Sequence, residues 1–282
     1  MSDESTYLSG KWNRTWDRTL RNLIGGGTVE YHESIPSTQL RAQELAREGV
    51  SKAVVVAEEQ TKGRGRIARR WESPKGSGLY FSILFRPALP PAAAYLVNVA
   101  AALSVAEAVE SLLGLGLELK WPNDLLLAAD AVKEQRKERK VCGILSESAT
   151  RNGALDYCVT GIGINVRKPP CLPPEIAESS GWLSQASDPI EIHNGAERAL
   201  LCRVVEIFFG WVEAMEREGT ASMLAAYRKK CASIGRAVKV ETGTETLIGT
   251  CSDIGDGGEL IVETPSGIRR FHVADVTHAR LA

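Results

Sequence analysis

Lys62, Arg64, Arg66, Arg69 and Arg70 fall within nine residues of QTKGRGRIARRWESPKGSG (60–78), with Gly63 and Gly65 threaded between them. Such charges repel one another, and the glycines make a regular helix costly. The residue types suit phosphate: glycine lets backbone N–H groups approach an anion, and a guanidinium holds two oxygens in a planar fork. A solvated surface loop or an RNA-binding turn would use the same letters. GxxxxGK[ST] and GxGxxG are both absent, so this is neither a Walker loop nor a Rossmann turn.

Three other segments carry side chains suited to chemistry. KWPND (120–124) sets Lys120 and a Trp before a Pro turn, with Asn123 and Asp124 after it. These polar groups can position a ligand or simply hold the turn. KVCGIL (140–145) opens an apolar strand with Lys140, a cation that needs an anionic partner there. GIGINV (161–166) places Asn165 beside small residues that permit close backbone approach. His32, His193, His272 and His278 are scattered and read as surface or packing residues, and Ser77 lacks the GxSxG elbow of a hydrolase.

The elements that must carry these groups alternate in period. VEYHESI (29–35), AVVVAEE (53–59), GLYFSILF (78–85), LGLELKW (115–121), DLLLA (124–128), VCGILSES (141–148) and YCVTGIGINV (157–166) read as strands. Helices are predicted from a Ser37 or Thr38 cap through Glu48, over 92–113, 195–217 and 220–232. Trp12, Trp16, Leu20, Leu23 and Ile24 recur at helical spacing before the breaker Gly25-Gly26-Gly27, which predicts a short helix docked on the body. The run KEQRKERK (133–140) reads as a solvated loop or frayed helix. From Gly235 the chain turns to short strands, with a hairpin turn at Asp256-Gly257-Gly258. The expected fold class is α+β: an N-terminal helical extension (1–27), a mixed α+β body (28–234) and a small all-β barrel-like domain (235–282).

Net charge is −1 over 282 residues, so no overall basic field favours nucleic acid or an anionic membrane, and any positive potential is local. The six cysteines form no CxxC pair and no zinc-like cluster, and they read as reduced thiols. No apolar run reads as a membrane span, and the acidic N-terminus does not resemble a leader. A soluble, cytoplasmic protein is expected.

GRGR…RRW.SP.GSGLYFS, KWPNDLLL, K.CGILSE and TGIGINV, in this order and spacing, resemble the signature of the biotin protein ligase family. SIPST (34–38) resembles the start of its catalytic domain, and the terminal β segment resembles its small SH3-like domain, so the likeness runs over about 29–282. It implies a two-step reaction with ATP and biotin as substrates and Mg²⁺ accompanying ATP. Biotinyl-adenylate forms first, and the biotin then passes to a lysine on a biotin carboxyl carrier domain of acetyl-CoA carboxylase or another biotin-dependent carboxylase. By position, the resemblance implies that Ser37, Thr38, Gln39, Gln60, Gly63, Arg64, Gly65, Arg66, Lys140 and Gly143 bind biotin. It implies that Arg64, Arg66, Arg69, Trp71, Lys120, Asn123, Asp124, Lys140 and Asn165 bind ATP or the adenylate, with Lys140 and Arg66 catalytic and no resident metal. Lys120 and Asp124 are expected near the incoming carrier lysine.

The chain departs from the family pattern in three places. Gln39 stands where Asn is usual, IARR (67–70) replaces a Gly-containing run, and the charged stretch before Lys140 is long. The 27 N-terminal residues are too few for the DNA-binding domain of repressor-type relatives, so ligation without operator binding is expected. A lipoate or octanoate ligase uses the same acyl-adenylate logic and is the alternative; a nucleic-acid-binding module built on the Arg loop is a further one. A free sheet edge would allow a homodimer.

Overall fold

A computed structural model describes residues 14–67, 69–128, 138–186, 196–272 and 274–278. Trp12, His193 and most of the 133–140 charge run lie outside the described residues. A seven-stranded sheet holds β1 (Thr28–His32), β2 (Ala53–Ala57), β3 (Gly78–Phe85), β4 (Leu117–Lys120), β5 (Asp124–Leu127), β6 (Lys140–Arg151) and β7 (Ala154–Asn165). Its order is β1-β2-β3-β7-β6-β5-β4, with β1 and β2 parallel and every other neighbouring pair antiparallel. All residues of β2 and β3 are buried, because both faces of the sheet are covered there and an apolar run replaces alternation.

Helix α2 (Thr38–Arg47) covers one face, against β2, β3 and β7. The other face carries α3 (Leu96–Leu113) and α5 (Ala196–Glu218), with α1 (Arg14–Leu23) packed on α5 and β1; a short α4 (Pro174–Ala177) lies on the intervening loop. Leu20 and Ile24, the apolar stripe of the N-terminal segment, are buried in the main core at 2% and 1% exposure. Burying side chains of that size is worth about 1.5–3 kcal/mol each. The N-terminal helix is therefore docked on the body, as its pattern predicts. Thirteen of the eighteen residues of α3 are buried, and Gly114 ends it in the left-handed conformation at φ 64°, its N–H donating to Glu110 O at 3.0 Å.

One sequence expectation needs correcting here. Pro91–Leu113 does have the length and apolarity of a membrane span, with 72% of its most apolar window buried inside the protein. Asn98, Ser104 and Glu107 interrupt the run and hide its length on inspection. A helix that is apolar all round is what a core between sheet and helices requires.

Strands β6 and β7 are longer than the sequence suggests, running to Arg151 and from Ala154. They are joined at Asn152-Gly153, whose φ of 52° and 78° make the two-residue hairpin turn that Asn-Gly favours. Helix α6 (Ala221–Lys230) leads into a second, antiparallel sheet of β8 (Ala237–Glu241), β9 (Thr246–Ile254), β10 (Leu260–Thr264), β11 (Gly267–Phe271) and β12 (Asp275–His278), ordered β11-β10-β9-β8-β12. The predicted Asp256-Gly257-Gly258 turn joins β9 to β10. Buried Trp121 ties the two sheets together, its Nε1 donating to Gly258 O at 2.9 Å.

Candidate active site

One cavity lies between α2, β6, β7 and the basic loop, and β12 rims it. Ser37, Thr38, Gln39, Gln60, Arg64, Gly65, Arg66, Arg69, Trp71, Asn123, Asp124, Lys140 and Gly143 all line it. Three residues singled out in the sequence do not. Gly63 stands at the root of the loop, where an added Cβ would lie 2.3 Å from Trp71 O; its missing side chain lets the two loop arms pair. Lys120 Nζ is bound to Glu138 at 2.6 Å, beside His278 of β12. Asn165 donates to Lys140 O at 3.3 Å and lines a neighbouring cavity, in whose wall Trp71 and Lys140 also stand.

The closed end of the cavity is neutral and hydrogen-bonded. Thr38 N and Oγ1 both donate to Gln60 Oε1, at 2.9 and 3.1 Å, and Gln60 Nε2 donates to Ser73 Oγ at 3.0 Å. Gln39 Nε2 donates to Val159 O at 3.1 Å and Leu145 O at 3.2 Å, while Ser82 Oγ lies 3.3 Å from its Oε1. Gly161 makes room for this amide, since a Cβ there would lie 2.5 Å from Gln39 Oε1. Ser37 occupies the N-cap position of α2 yet makes no capping bond, and its hydroxyl is buried without a partner. A buried polar group left unpaired costs about 1–3 kcal/mol, so this hydroxyl is suited to a polar ligand atom.

The open end is cationic. The loop folds back on itself through an Arg64–Arg70 bridge and a Gly65 N–H to Arg69 O bond of 2.8 Å. Its turn holds Ile67 at φ 51°, in the left-handed region where a β-branched residue is strained. Arg64 forks onto Glu147 with two bonds of 3.1 Å. Arg66 donates to Asn123 Oδ1 at 3.2 Å and to Ala274 O at 3.1 Å, and Arg69 pairs with Asp275 at 2.5 Å. Asn123 is itself fixed by exchanging bonds with the backbone of Ile144, at 2.9 and 3.0 Å. Lys140 Nζ lies 2.7 Å from Asp124 and 5.0 Å from the centre of the Trp71 ring. The indole rests on the cross-strand pair Gly143–Gly163, where added Cβ atoms would come within 2.7 and 2.3 Å of it. Next to Lys140, Cys142 is wholly buried and burial pushes its thiol well up, so it stays protonated and is no nucleophile.

Ser73, Ser82, Glu147 and the C-terminal residues Glu241, Asp275 and Thr277 escaped the sequence reading, whereas the close approach expected at GIGINV falls on Gly161 and Gly163. Glycines at 161 and 163 share one strand face, a period-2 signal for close approach. Asp275 and Thr277 likewise alternate on β12, but nothing local in the sequence says that β12 reaches the cavity.

Residues 31–165 match the model of the biotin/lipoate A/B protein ligase family, and residues 233–278 match that of the biotin protein ligase C terminal domain. The chain is 30% identical over 260 residues to the bifunctional ligase/repressor BirA of Bacillus subtilis, covering 91% of this chain and 76% of that protein. It is 30% identical over 250 residues to the biotin--[acetyl-CoA-carboxylase] ligase of Paracoccus denitrificans, covering 85% and 96% respectively. Among solved structures it is similar to biotin protein ligase from Aquifex aeolicus in complex with biotin and ATP, with a TM-score of 0.71, 27% identity, and 89% of this chain and 99% of that one covered. A cavity with one neutral hydrogen-bonding end and one cationic end thus sits in a chain that belongs to the biotin protein ligase family.

Proposed function

We propose that the chain activates biotin with ATP and transfers it to a lysine of a biotin carboxyl carrier domain, both steps in the cavity described above. The observation that carries this reading is the cavity's asymmetry. Its closed end offers neutral amides and hydroxyls with Ser37 Oγ left over, matched to a ureido ring. Its open end offers Arg64, Arg66, Arg69 and Lys140, matched to a carboxylate meeting a polyphosphate.

In the first step a carboxylate oxygen of biotin attacks the α-phosphorus, the bond to the β-phosphate oxygen breaks, and pyrophosphate leaves. Two anions must approach, and negative charge then grows on the phosphoryl oxygens. Arg66 and Lys140 lower both barriers by standing where that charge develops. Asn123 and Asp124 hold these two cations in place, so little reorganisation is needed as the charge appears. In the second step the carrier lysine amine attacks the acyl carbon of the mixed anhydride and AMP departs, its phosphate retained by the same cations. Trp71, seated on Gly143 and Gly163, supplies a flat apolar surface for the nucleotide base. Mg²⁺ would enter with ATP, on its phosphates. Residues 28–234 would carry the chemistry, and 235–282 would rim the cavity through β12.

The test is ATP–pyrophosphate exchange with purified protein offered biotin, lipoate and octanoate separately. Exchange with biotin alone is the expected result. Exchange driven by lipoate or octanoate, with none from biotin, would overturn the assignment of substrate.

A further inference from the structure

The mechanism so far leaves Glu147 unused, although four donors converge on its carboxylate. Gln43 Nε2 donates to Oε2 at 2.8 Å, and Gln39 Nε2, which shares its two hydrogens among this oxygen, Leu145 O and Val159 O, lies 3.1 Å from it. Arg64 completes the set, with Nη1 on Oε2 and Nη2 on Oε1, each at 3.1 Å. Gln39 and Gln43 are one helical turn apart on α2, and Glu147 lies within β6, paired with Val159 of β7. The carboxylate therefore joins a helix, a strand and the basic loop at one point. The groups it holds belong to opposite ends of the cavity: Gln39 to the neutral end, Arg64 to the cationic end.

We infer that Glu147 is a positioning residue for biotin, acting by holding Arg64 in a fixed plane beside the Gln39 amide. Arg64 is 39% exposed and sits between two glycines, so left alone it would sample many rotamers. Two of its five N–H groups are spent on Glu147, and three remain for a ligand anion. Glu147 also carries a negative charge that opposes anion binding. That charge is about one-third exposed and so is screened by solvent and salt, whereas the loss of a fixed guanidinium plane is not. Positioning outweighs neutralisation, and removing the carboxylate weakens biotin binding rather than strengthening it.

This inference rests on the proposed ligase activity, and biotin-dependent exchange by the unaltered chain is the control that separates the two. Without that exchange the functional reading fails. With it, Glu147→Gln keeps the shape but loses the two-oxygen fork, and it should raise the KM for biotin about tenfold. The change in kcat should be smaller, and the melting temperature should stay close to that of the unaltered chain. Glu147→Ala should raise the KM further. In an Arg64→Ala background the same Glu147 substitutions should change the KM by no more than about twofold, because their effect runs through Arg64. An unchanged or lowered KM for biotin in Glu147→Gln, or losses that multiply in the double variant, would overturn the role assigned to Glu147 and leave the ligase reading standing.

Discussion

The two ends of the cavity are built from different materials. At the closed end, Thr38, Gln39, Gln60, Ser73 and Ser82 bond mainly to one another and to backbone carbonyls, with the Glu147 carboxylate reached only by Gln39; all five are neutral and almost all are buried. At the open end, each cation is held by a carboxylate, an amide or a carbonyl from a different segment, and most of these pairs are partly exposed. Exposed ion pairs contribute at most about 1 kcal/mol to stability, whereas a buried satisfied amide network does not rearrange without leaving an orphan. The ring of the ligand thus meets a buried wall, and its reacting end meets cations that partly exposed partners hold in place for phosphate. The proposed chemistry needs this division, because the phosphates leave and an amine must then enter, while the ring stays put.

The largest effect should come from the cationic end. Lys140→Ala removes a cation placed at the junction of carboxylate and phosphate, and the rate of adenylate formation should fall by about 100-fold or more. Its ion pair with Asp124 is partly exposed, so the melting temperature should shift little. Single-turnover adenylate formation and thermal unfolding read the two quantities separately. A fall below tenfold would show that the cation acts on binding alone.

Gly161→Ala probes the other end. Its Cβ would meet Gln39 Oε1 at 2.5 Å and push the amide away from Ser82 and Val159 O. The clash itself is small, because Oε1 ends a side chain; the cost is the orphaned buried amide, about 1–3 kcal/mol. Both unfolding free energy and biotin affinity should drop by that amount. Gly65→Ala, at the open end, meets Arg69 O only at 3.3 Å and should lose less of each. Equal losses at the two glycines would erase the distinction between a buried wall and a partly exposed one.

How much of this was legible in the sequence follows the range of the interactions. GLYFSILF reads as β3 residue for residue, because burial on both faces leaves an unbroken apolar run. Residues of the basic loop and of KWPND were legible as candidates, and most of them line the cavity, because their types and spacing are unusual within a few positions. Glu147 was not, since its partners Gln39 and Arg64 lie 108 and 83 residues away and meet it only through sheet register. Lys120 shows the reverse case. Its neighbours Trp121 to Asp124 do face the cavity, but its own side chain finds Glu138 eighteen residues on, outside the cavity wall. Asp275 was invisible for the same reason as Glu147: nothing near it in the chain indicates that β12 reaches the loop.

Acid should act outside the cavity, on the contact that holds β12, with a smaller effect. For Glu138, burial alone would raise the carboxyl, but hydrogen bonds from His278 and Lys120 outweigh it and hold the pKa at about 2. A depressed carboxyl stabilises the fold fully above its unfolded value, near 4.5, and this contribution fades as pH falls towards 2. Glu30 behaves alike, held at about 2 by His32 and Arg41 against its burial. Because Glu138 ties β12 to the body, stability lost between pH 4.5 and 2 should be reduced in Glu138→Gln, as read from melting curves across that window. An identical pH dependence in the variant would assign the acid loss elsewhere. The closed end, having no titrating group among Thr38, Gln39, Gln60 and Ser82, contributes nothing to this slope.

The smallest effect concerns the turn of the basic loop. Ile67 has φ 51° and is 64% exposed, so its branched side chain is strained without the compensation of burial. The left-handed conformation costs an L-residue about 1–2 kcal/mol, and glycine adopts it freely while losing about 0.5–1 kcal/mol through the greater entropy of the unfolded chain. Ile67→Gly should therefore be neutral to stabilising by up to about 1.5 kcal/mol, the difference of those two terms. Ile67→Asn, which tolerates this region without the entropy penalty of glycine, should do at least as well. If the strain serves to hold Arg66 and Arg69 against Ala274 and Asp275, the glycine variant should also raise the KM for ATP by a few-fold while melting higher. Stability and ATP affinity moving together in the same direction would show that the turn is only a connection, and that the cations are held by their partners alone.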